Sequence, residues 1–189
     1  MRLIIGITGA SGVIYGIRLL ELLKECDEME THLVITEMGR ATISLETDYS
    51  IKFVEGLADH LHGIRDMASS IASGSFSSDG MIVAPCSVKT LSSVANCSND
   101  NLLTRAADVT LKERRKLLLL FRETPLTEGH CRLMLDATRM GAIVMPPLPA
   151  FYTKPASISE MVDQTVGRVL DFWRLNLIDI KRWDRRGNQ

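Results

Sequence analysis

The chain has 189 residues, 46% of them hydrophobic and 24% charged, with a formal net charge of −1. That length suits a single domain spanning 1–189 with a core large enough to fold without staples, and the charge balance excludes a basic footprint for nucleic acid. The basic cluster Lys181, Arg182, Arg185 and Arg186 reads as a solvated tail.

Cys26, Cys86, Cys97 and Cys131 show neither a CxxC pair nor metal-ligand spacing, so they read as reduced, small apolar residues, and no metal site is expected. The first apolar run, 3–7, is too short for a signal segment or a membrane span, and it breaks at once into glycines. A cytoplasmic protein that engages no membrane is the expectation.

The first strand is expected over 2–8, followed by a helix over 11–24 whose apolar stripe includes Val13, Ile17, Leu20 and Leu23. Between them stands Gly6-Ile7-Thr8-Gly9-Ala10-Ser11-Gly12. Glycines there permit a tight turn and close backbone approach, while the free N–H groups of a new helix attract phosphate. A second strand is expected over 32–36. The serine- and glycine-rich stretch 69–79 reads as a mobile loop, either a plain linker or a cover for a ligand.

A third strand over 80–84 leads into Pro85-Cys86-Ser87-Val88-Lys89-Thr90, a second hydroxyl-bearing turn. Two such turns at strand ends make a crevice able to hold a phosphate and a flat ring. Cys86 has no histidine near it in sequence and reads as packing rather than as a nucleophile. A helix over 101–115 follows an Asn/Asp cap, with Asp108 placed to pair with Lys112. Arg105 and Lys112 share a face about 10 Å apart along that helix. Because the helix runs toward the bottom of the sheet, Lys112 is expected far from its own crevice and placed to serve a neighbouring subunit.

The strand expected over 117–121 runs directly into Arg122-Glu123-Thr124-Pro125. An arginine there can grip phosphate and a carboxylate can move a proton, or the two can be a surface ion pair. A last strand over 142–145 leads to Pro146-Pro147-Leu148-Pro149-Ala150-Phe151-Tyr152, where prolines fix the path. From about 157 a helix with the capping signal Ser157 and Glu160 carries Arg168 at the edge of its core face. Short apolar strands alternating with helices predict an α/β, Rossmann-like doubly wound parallel sheet with helices on both faces, of flavoprotein type.

Four blocks in order, Gly6 to Gly12, Leu103-Thr104-Arg105-Ala106-Ala107-Asp108 with Leu111 to Arg115, Arg122 to Pro125, and Pro149 to Tyr152, resemble the UbiX-like flavin prenyltransferases. These carry the older label of aromatic acid or phenylacrylic acid decarboxylase subunits. The resemblance implies metal-independent transfer of a dimethylallyl group from its monophosphate to N5 and C6 of reduced FMN. The implied product is prenylated FMN for a separate UbiD-type decarboxylase, and the implied assembly is a homo-oligomer, usually a dodecamer. It also implies flavin contacts from Gly9, Ala10, Ser11, Thr36, Ser87, Val88, Lys89, Thr90 and Arg122. Prenyl-phosphate positions fall on Tyr152, Arg168, Lys112 and Arg105, and the proton-relaying carboxylate on Glu123, with Ser11 and Lys112 also in the chemistry. Thr36-Glu37 stand where the family usually has Ser-Lys, which reverses a charge beside the crevice, and Lys116 replaces a common proline.

Three other readings compete. A nicotinamide oxidoreductase lacks its tyrosine-lysine pair, since Leu19, Phe53 and Ala156 stand four beyond the tyrosines. A decarboxylase of peptidyl or pantothenoyl cysteine lacks its Met-Asn clamp. An FMN-binding decarboxylase, or a non-catalytic subunit of an aromatic acid decarboxylase, keeps the same flavin contacts.

Overall fold

The computed structural model of the protein describes residues 1–183; Arg185 and Arg186 of the basic cluster lie outside the described residues. Parallel strands β1 (Arg2–Ile7), β2 (Glu30–Ile35), β3 (His60–His62), β4 (Gly80–Cys86), β5 (Lys116–Phe121) and β6 (Ile143–Val144) form one sheet in the order β3-β2-β1-β4-β5-β6. The helices are α1 (Val13–Lys24), α2 (Glu37–Glu46), α3 (Ile51–Glu55), α4 (Val88–Ala95), α5 (Leu102–Lys112), α6 (Glu128–Arg139) and α7 (Ile158–Asp171).

Strand alternation divides the core into two layers. Leu3, Ile5 and Ile7 of β1, with Leu118 and Leu120 of β5, pack against Ile17 and Leu20 of α1 and Val166 and Leu170 of α7. On the other face Ile4, Met81, Leu117, Leu119 and Phe121 meet Leu91 of α4, Leu103 and Ala107 of α5 and Ala137 of α6. The doubly wound fold expected from the apolar runs is the fold observed.

Several local expectations change. The edge strand β3 has the sequence His-Leu-His, too short and too polar to read as a strand. It pairs because β2 presents its free edge to it. The last strand shrinks to Ile143–Val144. α5 ends at Lys112 rather than at 115, because Arg114 adopts a left-handed φ of 58° that closes the helix. Asp108 pairs with Arg105 at 3.0 Å and with Asn99, while Lys112 pairs with Glu113 instead. At α7 the Ser157 hydroxyl accepts from the Glu160 N–H, and the Glu160 carboxylate reaches back to the Ala156 N–H at 2.9 Å.

The stretch 69–79, expected to be mobile, is pinned. Ile71 is buried in it, Arg105 binds the Ala72 carbonyl, and the Arg115 guanidinium binds the carbonyls of Gly74 and Phe76. It delivers the chain to the start of β4, where the Arg2 N–H binds Asp79 at 2.7 Å, so it ends at the amino-terminal end of the sheet, away from the mouth.

Leu118 is fully buried in a central strand. Leu118→Ala is expected to cost about 3 kcal/mol through lost burial and the cavity left behind, read from the midpoint of urea unfolding. A loss below about 1 kcal/mol would mean that the two layers do not share β5 as their support.

Candidate active site

The strand order reverses between β1 and β4, since β2 and β3 lie on one side of β1 and β4 to β6 on the other. Such a reversal leaves a crevice at the carboxyl ends, because the connecting helices depart on opposite faces. Thr8 sits across this point, 1% exposed. Its hydroxyl donates to the Pro85 carbonyl at 2.7 Å and accepts from the Ser87 N–H at 3.0 Å, tying the turn after β1 to the turn after β4.

A cleft of about 400 Å³ opens above this tie. Thr8 and Gly9 form its floor, Thr36 to Met38 and Ile64 with Arg65 one wall, and Ser87, Lys89, Thr90 and Ser93 with Asp100, Asn101 and Thr104 the other. The helices α2, α4 and α5 begin here, capped by the side-chain oxygens of Thr36, Ser87 and Asn101. Their positive ends favour an anion in the cleft, while Met38 and Ile64 offer apolar surface to a flat ring. The formal charges largely cancel: Arg65 pairs with Glu37 at 2.6 Å and Lys89 stands 3.9 Å from Asp100. The reversed charge at Glu37 is therefore answered within the chain by Arg65, on an exposed pair of small energetic weight. A nucleotide-sized molecule with a phosphate and a flat ring fits this donor set.

A flavoprotein family model, described simply as Flavoprotein, matches residues 1–170. The flavin prenyltransferase UbiX of Escherichia coli K12 is 54% identical over 184 residues, covering 96% of this chain and 97% of that protein. The chain belongs to the UbiX flavin prenyltransferases. A solved structure of AnUbiX in complex with FMN and dimethylallyl pyrophosphate superposes with a TM-score of 0.94 at 50% identity, covering 97% of each chain. A dodecameric FMN-dependent UbiX-like decarboxylase from Escherichia coli O157:H7 superposes with a TM-score of 0.95 at 48% identity, over 97% of this chain and all of that one.

Within this prenyltransferase, Gly9, Thr36, Ser87, Lys89 and Thr90, for which the resemblance implied flavin contacts, line the cleft. Val88 instead turns toward the core under α4. Ala10 and Ser11 follow Gly9 outside the cleft lining, and Ser11 is exposed. The glycine turn is not wholly free to bind an anion: the Gly12 N–H, at a left-handed φ of 99°, donates to the Glu46 carboxylate of α2 at 2.8 Å.

Arg122 leaves the end of β5 with its N–H on the Cys86 carbonyl at 3.1 Å. Its guanidinium lies close enough to Tyr15 to favour the phenolate, against the burial that raises that phenol above its ordinary range. The bond of its N–H to Cys86 places Arg122 beside the turn after β4, next to Ser87 of the cleft wall. Glu123 is exposed next to it, accepting from the Thr124 N–H. Tyr152 lies in a 3₁₀ turn, edge-on to Trp183. Burial pushes the Cys86 thiol far up, consistent with packing rather than nucleophilic work.

Three expected phosphate ligands are not brought to this cleft within one chain. Arg105 turns to Ala72 and Asp108, Lys112 ends α5, and Arg168 in the last turn of α7 pairs with Asp171. Trp173, just beyond α7, donates to the Asp79 carbonyl at the start of β4, so this end of α7 lies at the amino-terminal end of the sheet. Sequence reasoning missed Thr8 and the wall residues Met38, Ile64, Arg65 and Ser93, none of which stands in a chemical motif, although Thr8 lies inside the glycine block.

A Cβ on Gly9 would stand 2.4 Å from the Met38 Cβ and 3.0 Å from its carbonyl carbon. Gly9→Ala is expected to push α2 away from the floor, costing about 1–3 kcal/mol of stability and weakening flavin binding about tenfold or more. Flavin fluorescence titration with a melting curve checks it; unchanged affinity would remove Gly9 from the floor of the site.

Proposed function

We propose that this single flavin-binding domain transfers a dimethylallyl group from its monophosphate to reduced FMN and passes prenylated FMN to a UbiD-type aromatic acid decarboxylase in the cytoplasm. The observation that carries the proposal is the cleft at the β1/β4 reversal, where three helix starts converge beside Arg122 and Glu123. No helix among the described residues is long and apolar enough to cross a membrane.

Gly9, Ala10, Ser11, Thr36, the segment Ser87 to Thr90, and Arg122 hold the flavin nucleotide, with helix N-termini and hydroxyls on its phosphate. The flavin supplies N5 and C6, the two positions that accept the five-carbon unit. As the ester C–O bond breaks, the departing phosphate takes the bonding pair, and cationic donors must meet that growing charge. Arg122, fixed beside the turn after β4, and Tyr152 are the donors assigned to that charge. Glu123, at the end of β5, is the carboxylate that takes the proton leaving N5 and returns one to the departing phosphate.

Lys112, Arg105 and Arg168 complete the phosphate site from neighbouring subunits. α5 begins at the cleft and its eleven residues carry Lys112 about 16 Å down its axis, too far for a lysine to return. The UbiX-like structure from Escherichia coli O157:H7 is a dodecamer, and the same assembly here brings these cations to a second copy's cleft.

Anaerobic incubation with reduced FMN and dimethylallyl monophosphate is expected to raise the flavin mass by one five-carbon unit, and the pyrophosphate tested in parallel reads the ester preference. An unchanged flavin mass with either ester overturns the proposal. Release of carbon dioxide from an aromatic acid by the purified chain alone would favour a decarboxylase instead. Glu123→Gln is expected to slow prenylation about 100-fold with little change in flavin affinity. Mixed oligomers of Glu123→Gln and Lys112→Ala chains, each at about a hundredth of wild-type activity or less alone, are expected to recover about a quarter of wild-type activity, because that share of sites draws an intact residue from each chain. No recovery would place Lys112 outside any shared site.

A further inference from the structure

The amino-terminal end of the sheet carries a second cluster that the flavin chemistry does not use. Alternation along β2 puts Glu30 and His32 on one face, and the pairing of His32 with His60 and Val34 with His62 brings two residues of β3 to that same face. Three of the four histidines in the chain thereby meet at one sheet edge. Glu30 Oε1 stands 3.0 Å from His32 Nε2 and 3.4 Å from His60 Nε2. The ligand atoms of Glu30, His32 and His60 all lie within 4.8 Å of one another.

The two separations to Glu30 Oε1 are close to those of a metal polyhedron, and the remaining pair needs only a turn of the exposed His60 ring to join it. Zinc bound at about 2.0–2.1 Å in a tetrahedron sets its ligand atoms about 3.3 Å apart, and two imidazoles with one carboxylate are a familiar donor set for it. We propose that Glu30, His32 and His60 bind one divalent cation of the zinc class, which ties the edge strand β3 to β2 at the end of the sheet opposite the flavin cleft.

The surroundings supply the outer support that such ligands need. Arg2 occupies only the other carboxylate oxygen, with Nη2 at 2.7 Å and Nε at 2.9 Å from Oε2, which orients Oε1 toward the histidines. His32 Nδ1 meets His62 Nε2 at 2.8 Å, and His62 Nδ1 meets the Ser69 hydroxyl at 2.7 Å.

This relay is satisfied in either direction. With Nε2–H of His32 on Glu30, each group donates toward the carboxylate, beginning with the Ser69 hydroxyl. With a cation at Nε2, His32 donates through Nδ1 to His62 and His62 through Nδ1 to Ser69; each imidazole only changes tautomer and stays neutral, so no proton is released overall. His32 is held by burial, whereas the His60 side chain is 52% exposed and now stacks on His32 at 4.6 Å between ring centres. To point its nitrogen at the cation, the His60 ring must swing out of that stack, which its exposure permits. A water completes the fourth position on the solvent side.

The test uses the full chain, freed of metal by a chelator, with Cys97→Ser and Cys131→Ser changed to remove the exposed thiols as rival ligands. Zinc titration by calorimetry, with metal analysis after gel filtration, is expected to give one ion per chain and a raised melting temperature. His60→Ala is expected to weaken zinc binding by at least about tenfold and to abolish the melting shift, while His130→Ala on α6 leaves both unchanged. Cobalt as a second probe is expected to give the bands of a tetrahedral nitrogen and oxygen site. Absence of stoichiometric uptake in this background, or uptake that survives His60→Ala, overturns the proposal. Flavin prenylation is measured on the same preparations, so failure of the metal site and failure of the proposed activity are told apart.

Discussion

One buried hydroxyl sets the geometry on which the rest of the site depends. Regular pairing between β1 and β4 stops at Gly6 and Val83, and beyond it the two strand ends would be free to part. Thr8 prevents this by giving its proton to the Pro85 carbonyl and taking one from the Ser87 N–H. The width of the crevice follows from that link. So does the placement of Ser87, whose hydroxyl accepts from Thr90 to cap α4 at the cleft wall. A buried group bonded on both sides in this way is costly to disturb, since either partner left unpaired inside the fold loses far more than one bond is worth in water.

The electrostatics of the cleft come from backbone more than from side chains. Arg65 and Lys89 each have an acidic neighbour, and the Gly12 N–H is held by Glu46. What remains for an anion is the set of aligned peptide dipoles at the starts of α2, α4 and α5, with Arg122 at the adjoining strand end. Fixed dipoles need no rearrangement when charge develops, which suits a reaction whose leaving group is a phosphate. Lys112 and Arg168 lie at the opposite ends of α5 and α7, and Arg105 in the first turn of α5 is turned to Ala72 and Asp108.

The two ends of the sheet thus differ in chemistry for a topological reason. Carboxyl ends of parallel strands meet helix N-termini and gather anion-binding groups. The amino-terminal end instead gathers side chains by strand alternation, and at the β2–β3 edge this unites Glu30 with the histidines. The segment after β3 joins the two ends: Ile64 and Arg65 line the cleft, Ser69 reaches His62, and Asp79 closes on Arg2.

The doubly wound fold was legible in the sequence because its signal is local: apolar runs buried on both faces and a glycine turn between strand and helix. The crevice residues Gly9, Ser87, Lys89 and Thr90 were legible from the two turns that follow strand ends, whereas Thr36 entered only through the family resemblance. Strand β3 was not legible, because three residues with two histidines carry no apolar pattern and pair only when β2 offers an edge. Pairings such as Asp108 with Arg105, Glu37 with Arg65 and Thr8 with Ser87 were decided by the tertiary structure alone. Helical spacing allowed Asp108 more than one partner, and residues 28 or 79 positions apart meet only once the strands are ordered.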